Sequence, residues 1–307
     1  MLNHIVVGVD FSPESEAAVA QAMAVARRAG ARLTLLHVGA VPDAPLGVPE
    51  SMAATAAAYT QVVKQQLAED RDALEALRER LLGQGVEVFH AVYDGFADTG
   101  IVEAAKELEA DLIVVGTHGR TGLKRFILGS VAERVVRLAS VPVLVARATD
   151  APLAGGYAKL LVPTDFSASA EEALELAQAL AAEDATIHLL HAWQLPPMSS
   201  ASSAPVKAAD DLFGEVRRSI TNAVDETGEQ LVDRHVDGGA NLSFESVEGS
   251  PAHAIQEAIA RHQPDVVVLG SHGRRGVTRL LLGSVAENTV RHAPCSVVVV
   301  HGTGAGD

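Results

Sequence analysis

Sulfur, aromatic rings and positive charge are all scarce in this 307-residue chain. The single cysteine, Cys295, cannot close an internal disulfide, so nothing points to an oxidising compartment. Cys295 opens an apolar strand and reads first as a small buried hydrophobe, with a reactive thiol as the alternative. No apolar run approaches the ~18–20 residues of a membrane span. The chain passes from Met1-Leu2-Asn3-His4 straight into the apolar run Ile5–Val9, with no secretory leader, so a cytoplasmic location is expected. Lys and Arg number 24 against 39 Asp and Glu, a formal net charge of −15 that argues against nucleic acid or an anionic membrane as main partner. An anionic ligand would need local positive potential. Aromatics are only 4% while hydrophobic residues reach 48%, rich in Ala, Val and Leu, which reads as a soluble α/β protein.

What the chain does have is a repeat. Gly116-Thr117-His118-Gly119 and Gly270-Ser271-His272-Gly273 are each followed, after nine residues, by Gly-Ser: Gly129-Ser130 and Gly283-Ser284. Residues 116–146 and 270–300 align without a gap, with 17 identities in 31 positions. The length allows about two domains, and the offset near 154 residues divides the chain into 1–147, a linker 148–157 containing Pro152 and Gly155-Gly156, and 158–302.

Each half reads as alternating strands and helices. In the first, strands are expected at 5–9, 32–38, 86–93, 111–115 and 141–146, with helices to about Arg28, over 52–82, 97–109 and 130–139. Ser12 is a good N-cap, Pro13 suits the first helical position, Glu14 and Glu16 favour the helix start, and Gly30 ends the helix. Tyr59, Val62, Val63, Leu67, Leu74, Leu77 and Leu81 fall near helical spacing. Leu160 to Ser167 repeats Ile5 to Ser12, and His37 and His191 both close a second strand. Continuous apolar strands alternating with helices give two doubly wound, five-stranded parallel sheets of Rossmann-like type. Ligands bind such sheets beyond the carboxyl ends of the strands. Asp10, Val38 and Gly116 lie there in one half, and Asp165, Ala192 and Gly270 in the other.

The glycine loops carry the clearest chemistry. Gly116, Gly119 and Gly122, like Gly270, Gly273 and Gly276, remove side chains where a ligand would approach the backbone. Gly129-Ser130 and Gly283-Ser284 open helices whose free N–H groups, with the serine hydroxyls, can bind an anion. Tight packing of the loop is the competing explanation. Arg120, Lys124 and Arg125, and in the second copy Arg274, Arg275 and Arg279, form local positive patches; Arg125 and Arg279 are equivalent and the better phosphate partners, against a solvated loop as the plainer reading. Asp10 and Asp165 suit either a turn cap or a divalent ion or ribose hydroxyl. His188 and His191, three apart on a strand, face opposite ways; no metal-ligand spacing stands out, and no catalytic residue is assigned. The loops lack the lysine of a Walker A P-loop and the G-x-G-x-x-G dinucleotide fingerprint.

Gly-x-x-Gly, nine residues, then Gly-Ser resembles the nucleotide-binding branch of the universal stress protein family, and the resemblance covers nearly the whole chain as two tandem domains. It implies a strand order 3-2-1-4-5, pairing through the fifth strand, and binding of ATP, ADP or AMP, with Mg2+ carried by the nucleotide. It implies ligand contacts at Asp10, Val38, Val115, Gly116, Gly119, Arg125, Gly129, Ser130 and Val131. The second set is Asp165, Ala192, Leu269, Gly270, Gly273, Arg279, Gly283, Ser284 and Val285. The leading functional reading is an adenine-nucleotide-binding stress-response or regulatory protein acting through an unidentified protein partner, with little or no hydrolysis. A weak ATPase or phospho- or nucleotidyl transferase is one alternative, and an interaction scaffold is another. The two halves would form an intramolecular pseudo-dimer, and a further homodimer is open.

Overall fold

A computed structural model of the chain describes residues 2–39, 53–118, 128–148, 155–195, 206–236, 239–273 and 282–302. The first half contains β1 (His4–Gly8), α1 (Pro13–Ala29), β2 (Arg32–Gly39), α2 (Ala53–Leu81), β3 (Val88–Asp94), α3 (Ala97–Glu107), β4 (Leu112–Gly116), α4 (Ser130–Leu138) and β5 (Val143–Ala146). The second contains β6 (Tyr157–Pro163), α5 (Ala168–Leu180), β7 (Ala181–Trp193), α6 (Val206–His235), β8 (Asn241–Glu248), α7 (Pro251–His262), β9 (Val266–Gly270), α8 (Ser284–His292) and β10 (Ser296–Val300).

The first helix forms as its sequence dictates. The Ser12 side chain accepts from Ser15 N–H, Pro13 takes the first turn beside Glu14 and Glu16, and Gly30 closes the helix in the left-handed region at φ 66°. The second half has no glycine there. Its helix α5 stops at Leu180, and Ala181, extended at φ −71° and ψ 141°, runs directly into a 13-residue strand. The expected mirror image therefore fails at this junction. The extra strand pairs Ala181 with Tyr157 before a register shift leads into the regular ladder from Lys159↔Thr186.

Strand order is β3-β2-β1-β4-β5-β10-β9-β6-β7-β8. Each half shows the expected 3-2-1-4-5 order, and the halves meet through their fifth strands. β5 and β10 pair antiparallel, Val143↔Val299 to Val145↔Val297, while the other pairings are parallel among the described residues. This antiparallel seam rotates one half end for end relative to the other within the sheet, so the carboxyl ends of their strands point to opposite ends of the sheet.

Alternate residues of each strand enter cores on the two faces. One holds Ile5, Val7, Leu33, Leu74, Leu144, Leu160, Leu174 and Val298, under α1, α2, α5 and α6. The other holds Val6, Ile113, Val135, Val145, Leu161, Ile255, Val267 and Val297, under α3, α4, α7 and α8. Both run unbroken through the seam. Helix α2 departs from its expected packing. Leu74 is fully buried, but Tyr59 and Val62 are 56% and 66% exposed. A 29-residue helix is about 43 Å long, whereas the eight residues of β2 span about 26 Å, so the first turns overhang the sheet.

Candidate functional site

The turn after β1 is built the same way in both halves. Asp10 Oδ1 accepts from Ser12 N–H at 3.1 Å and from the Ser12 hydroxyl at 2.5 Å. Asp165 Oδ1 accepts from Ser167 N–H at 3.1 Å. Both aspartates therefore cap a turn, the plainer of the two roles their sequence suggests. The backbone within the turn is strained: Phe11 and Phe166, equivalent residues, sit at φ 62° and 60°, a region costly for a bulky side chain and concentrated at ligand sites.

The second strands brace these turns. His37 Nδ1–H donates to the Val9 carbonyl at 2.8 Å, and His191 Nδ1–H donates to Thr164 at 2.7 Å. Their rings lie 5.5 Å from Phe11 and 4.6 Å from Phe166. The two histidines thus hold the aspartate-bearing turns against the ends of β2 and β7, a role that sequence spacing alone did not reveal. Val38 and Ala192, one residue further on, are half-buried.

The described ends of the glycine loops meet the same edge. Gly129 N–H donates to Thr117 C=O at 2.7 Å and Gly283 N–H to Ser271 C=O at 2.9 Å, tying the start of α4 to the end of β4 and of α8 to β9. Gly129 and Gly283 cap α4 and α8 with extended backbones and no side-chain cap bond. The first-turn N–H groups around Ser130, Val131, Ser284 and Val285 thus retain the geometry for an anion. A Cβ on Gly116 would lie 2.9 Å from the backbone of Glu14, and one on Gly270 2.8 Å from Ser169 Oγ, so the ends of β4 and β9 abut the first turns of α1 and α5. In the second half a Cβ on Gly273 would lie 2.6 Å from Asp165 Oδ2. The aspartate and the glycine loop, 108 residues apart in sequence, are therefore neighbours there.

Val115 and Leu269 point into the core, 4% and 3% exposed, which leaves only their backbones available to a ligand. Gly119, Arg125 and Arg279 lie outside the described residues, as do Arg120, Gly122, Lys124, Arg274, Arg275 and Gly276. The equivalent His118 and His272 each bury Nε2 beside the loop without a hydrogen-bond partner among the described residues. A cleft of about 590 Å³ between α6 and β8 is lined by Asp225, Glu229 and Asp233. Its acidity opposes phosphate, and no glycine-loop residue is among its described lining residues.

Fold and site together define a doubly wound α/β protein used twice, with a glycine-lined edge in each copy. The chain belongs to the universal stress protein family, whose sequence profile matches residues 1–147 and again 156–301. The universal stress protein Rv2005c of Mycobacterium tuberculosis is 32% identical over 306 residues, 96% of each chain. MJ0531 of Methanocaldococcus jannaschii, also a universal stress protein, is 35% identical over 145 residues, 47% of this chain and 82% of its own. The crystal structure of a universal stress protein from Archaeoglobus fulgidus shares the fold at TM-score 0.63 and 18% identity, covering 99% of this chain and 98% of that one.

Proposed function

We propose that the protein binds adenine nucleotide, ATP above ADP or AMP, in each of two domains, 1–147 and 158–302, and holds it as a regulatory ligand. The contact that carries this reading is the approach of Asp165 Oδ2 to Gly273, with the uncapped start of α8 on the same edge. That arrangement sets a carboxylate for a ribose hydroxyl or a nucleotide-borne Mg2+ beside backbone N–H groups for phosphate. The matching loop spacing in the first half, and the nucleotide-binding branch its motif resembles, extend the reading to both copies. Arg125 and Arg279 are the cations proposed to meet phosphate, with Gly119 the first-copy equivalent of Gly273. The nucleotide's state would bias recognition of a protein partner in the cytoplasm.

Isothermal titration with ATP tests the proposal. Two nucleotides per chain are expected, falling to one in Gly273→Val and to none in Gly119→Val/Gly273→Val. Failure of ATP, ADP and AMP to bind at millimolar concentration would refute it. Phosphate release from the same samples, well above background and lost in the double variant, would instead favour a hydrolase or transferase.

A further inference from the structure

The second half contains a cluster for which the first has no counterpart. His188 on β7, Glu245 on β8 and His262 at the end of α7 converge on the face of the sheet covered by α7. His188 Nε2 lies 3.0 Å from Glu245 Oε2, and His262 Nε2 lies 3.5 Å from the same oxygen. The three ligand atoms all fall within 4.8 Å of one another. Tetrahedral coordination at about 2.0–2.1 Å places neighbouring ligand atoms roughly 3.3 Å apart, a spacing bracketed by these two distances.

The atoms behind this trio suit metal ligation. His188 Nδ1 lies 2.7 Å from Ser243 Oγ. A hydroxyl both donates and accepts, so Ser243 can hold the tautomer whose Nε2 lone pair faces inward, the usual support for a ligating histidine. Arg261 binds Glu245 Oε1 and leaves Oε2 turned toward the two imidazoles. His262 Nε2 is buried with no hydrogen-bond partner among the described residues, although it points at that carboxylate. The two rings lie 3.9 Å apart between centroids. Burial pushes the Glu245 carboxyl up, but His188, Arg261 and His262 outweigh it and hold the group below its ordinary value, so the carboxylate is ionised at neutral pH.

The ladders place Leu190 opposite Glu245 and Leu36 opposite Ala91, an offset of 154 in both strands. By that offset Thr34, Ala91 and Leu108 stand where the second half has His188, Glu245 and His262. The fold therefore does not need these three polar groups; they are an addition to one copy. They lie at mid-strand and at the C-terminus of α7, away from the carboxyl-end edge proposed for nucleotide.

We propose that His188 Nε2, Glu245 Oε2 and His262 Nε2 bind one divalent transition-metal ion of the Zn2+ class. Two neutral imidazoles and one carboxylate match that ion's preferences and leave a fourth position for water. The ion would pin helix α7 across β7 and β8. As β8 is the edge strand of the sheet, its removal would loosen an edge that otherwise has one strand neighbour.

Titration of the chelator-stripped full chain with ZnCl2 tests this site. One saturable Zn2+ per chain is expected, with a raised Tm and a tetrahedral visible spectrum when Co2+ replaces it. His188→Thr and His262→Leu install the residues of the first half, so metal-free folding should be retained, checked by Tm. Each should weaken Zn2+ at least about tenfold, as should Glu245→Gln. His253→Ala, which removes the exposed His253–Glu257 pair, should leave binding unchanged. No saturable binding in the parent, or wild-type affinity in folded His188→Thr and His262→Leu, would overturn the assignment. So would loss of the Zn2+ only in His253→Ala.

Discussion

Glu14 and Ser169 hold the same place in the two copies, each against the glycine that ends the fourth strand. Glu14 meets it through its backbone and Ser169 through its hydroxyl, and a carboxylate in the first turn of the helix beside the proposed phosphate-binding edge repels what a hydroxyl tolerates. The first site is therefore expected to hold ATP more weakly. Glu14→Ser should raise first-site affinity about three- to tenfold, the scale of one screened charge, measurable by titration in a Gly273→Val background. At the other end of the chain, burial pushes the Cys295 thiol up to about 11 against the pull of its own backbone N–H and Arg147. The reactive thiolate is then scarce at pH 8, and alkylation by iodoacetamide should run roughly a hundredfold slower than for a free thiol. The rate should climb with pH until about 11; a fast reaction at pH 8 would contradict the burial. Cys295 is half-buried, where its apolar neighbours suggested a buried residue.

Helix α2 shows where periodicity succeeds and where it misleads. Its apolar spacing marked the helix, but spacing carries no information about the length of the strands beneath. Leu74→Ala should cost about 2–5 kcal/mol because it opens a cavity in the core, while Val62→Ser on the overhanging turns should change stability by no more than about 0.5 kcal/mol. Denaturant melts of the two variants would separate these cases. The strand–helix alternation, the caps at Ser12 and Ser167 and the Gly30 stop were all legible, because each depends on residues adjacent in sequence. The 13-residue β7 was not, since its first residue, Ala181, is held by Tyr157 across the sheet. The metal-type cluster was equally hidden. Spacing set His188 and His191 on opposite faces and showed no metal-ligand pattern, because the neighbours of His188 arrive from β8 and α7.

For the molecule as a whole, the seam is the deciding feature. Beneath it on one face, Gln21 Oε1 accepts from the Tyr157 hydroxyl at 2.8 Å and from Ser296 Oγ at 2.9 Å. The amide of Gln21 donates in turn to the Arg147 carbonyl. All three side chains are buried. Gln21→Leu would leave the Tyr157 hydroxyl and the Arg147 carbonyl without these partners, each costing about 1–3 kcal/mol where no water replaces the bond, while Ser296 Oγ keeps its bond from Arg147 N–H; Tm should fall by several degrees. On the opposite face Arg137 and Arg291 each meet both Glu133 and Glu287 at 3.0–3.2 Å, a ring that repeats itself at an offset of 154. Near the seam His301 lies between the carbonyls of Val136 and Val141. Burial holds it below the ordinary histidine value, with the two carbonyls pulling the other way. The unfolded chain therefore takes up this proton first, near pH 6.5, and stability present above that pH falls as the solution is acidified toward the folded value. His4, lowered by burial, adds the same sign. Tm should drop between pH 7 and 5, and His301→Gln should flatten part of that drop; an unchanged slope would count against this role.

The sequence by itself determined the repeat, the alternation of strands and helices and the glycine spacing that marks the family, because all of these are written in local pattern. Only the tertiary structure joined β5 to β10 antiparallel, merged two cores into continuous layers and turned the two glycine-lined edges away from each other. It alone set Asp165 against Gly273 and brought His188, Glu245 and His262 together. These are relations between residues far apart in the chain, fixed by strand register and by which face each side chain takes.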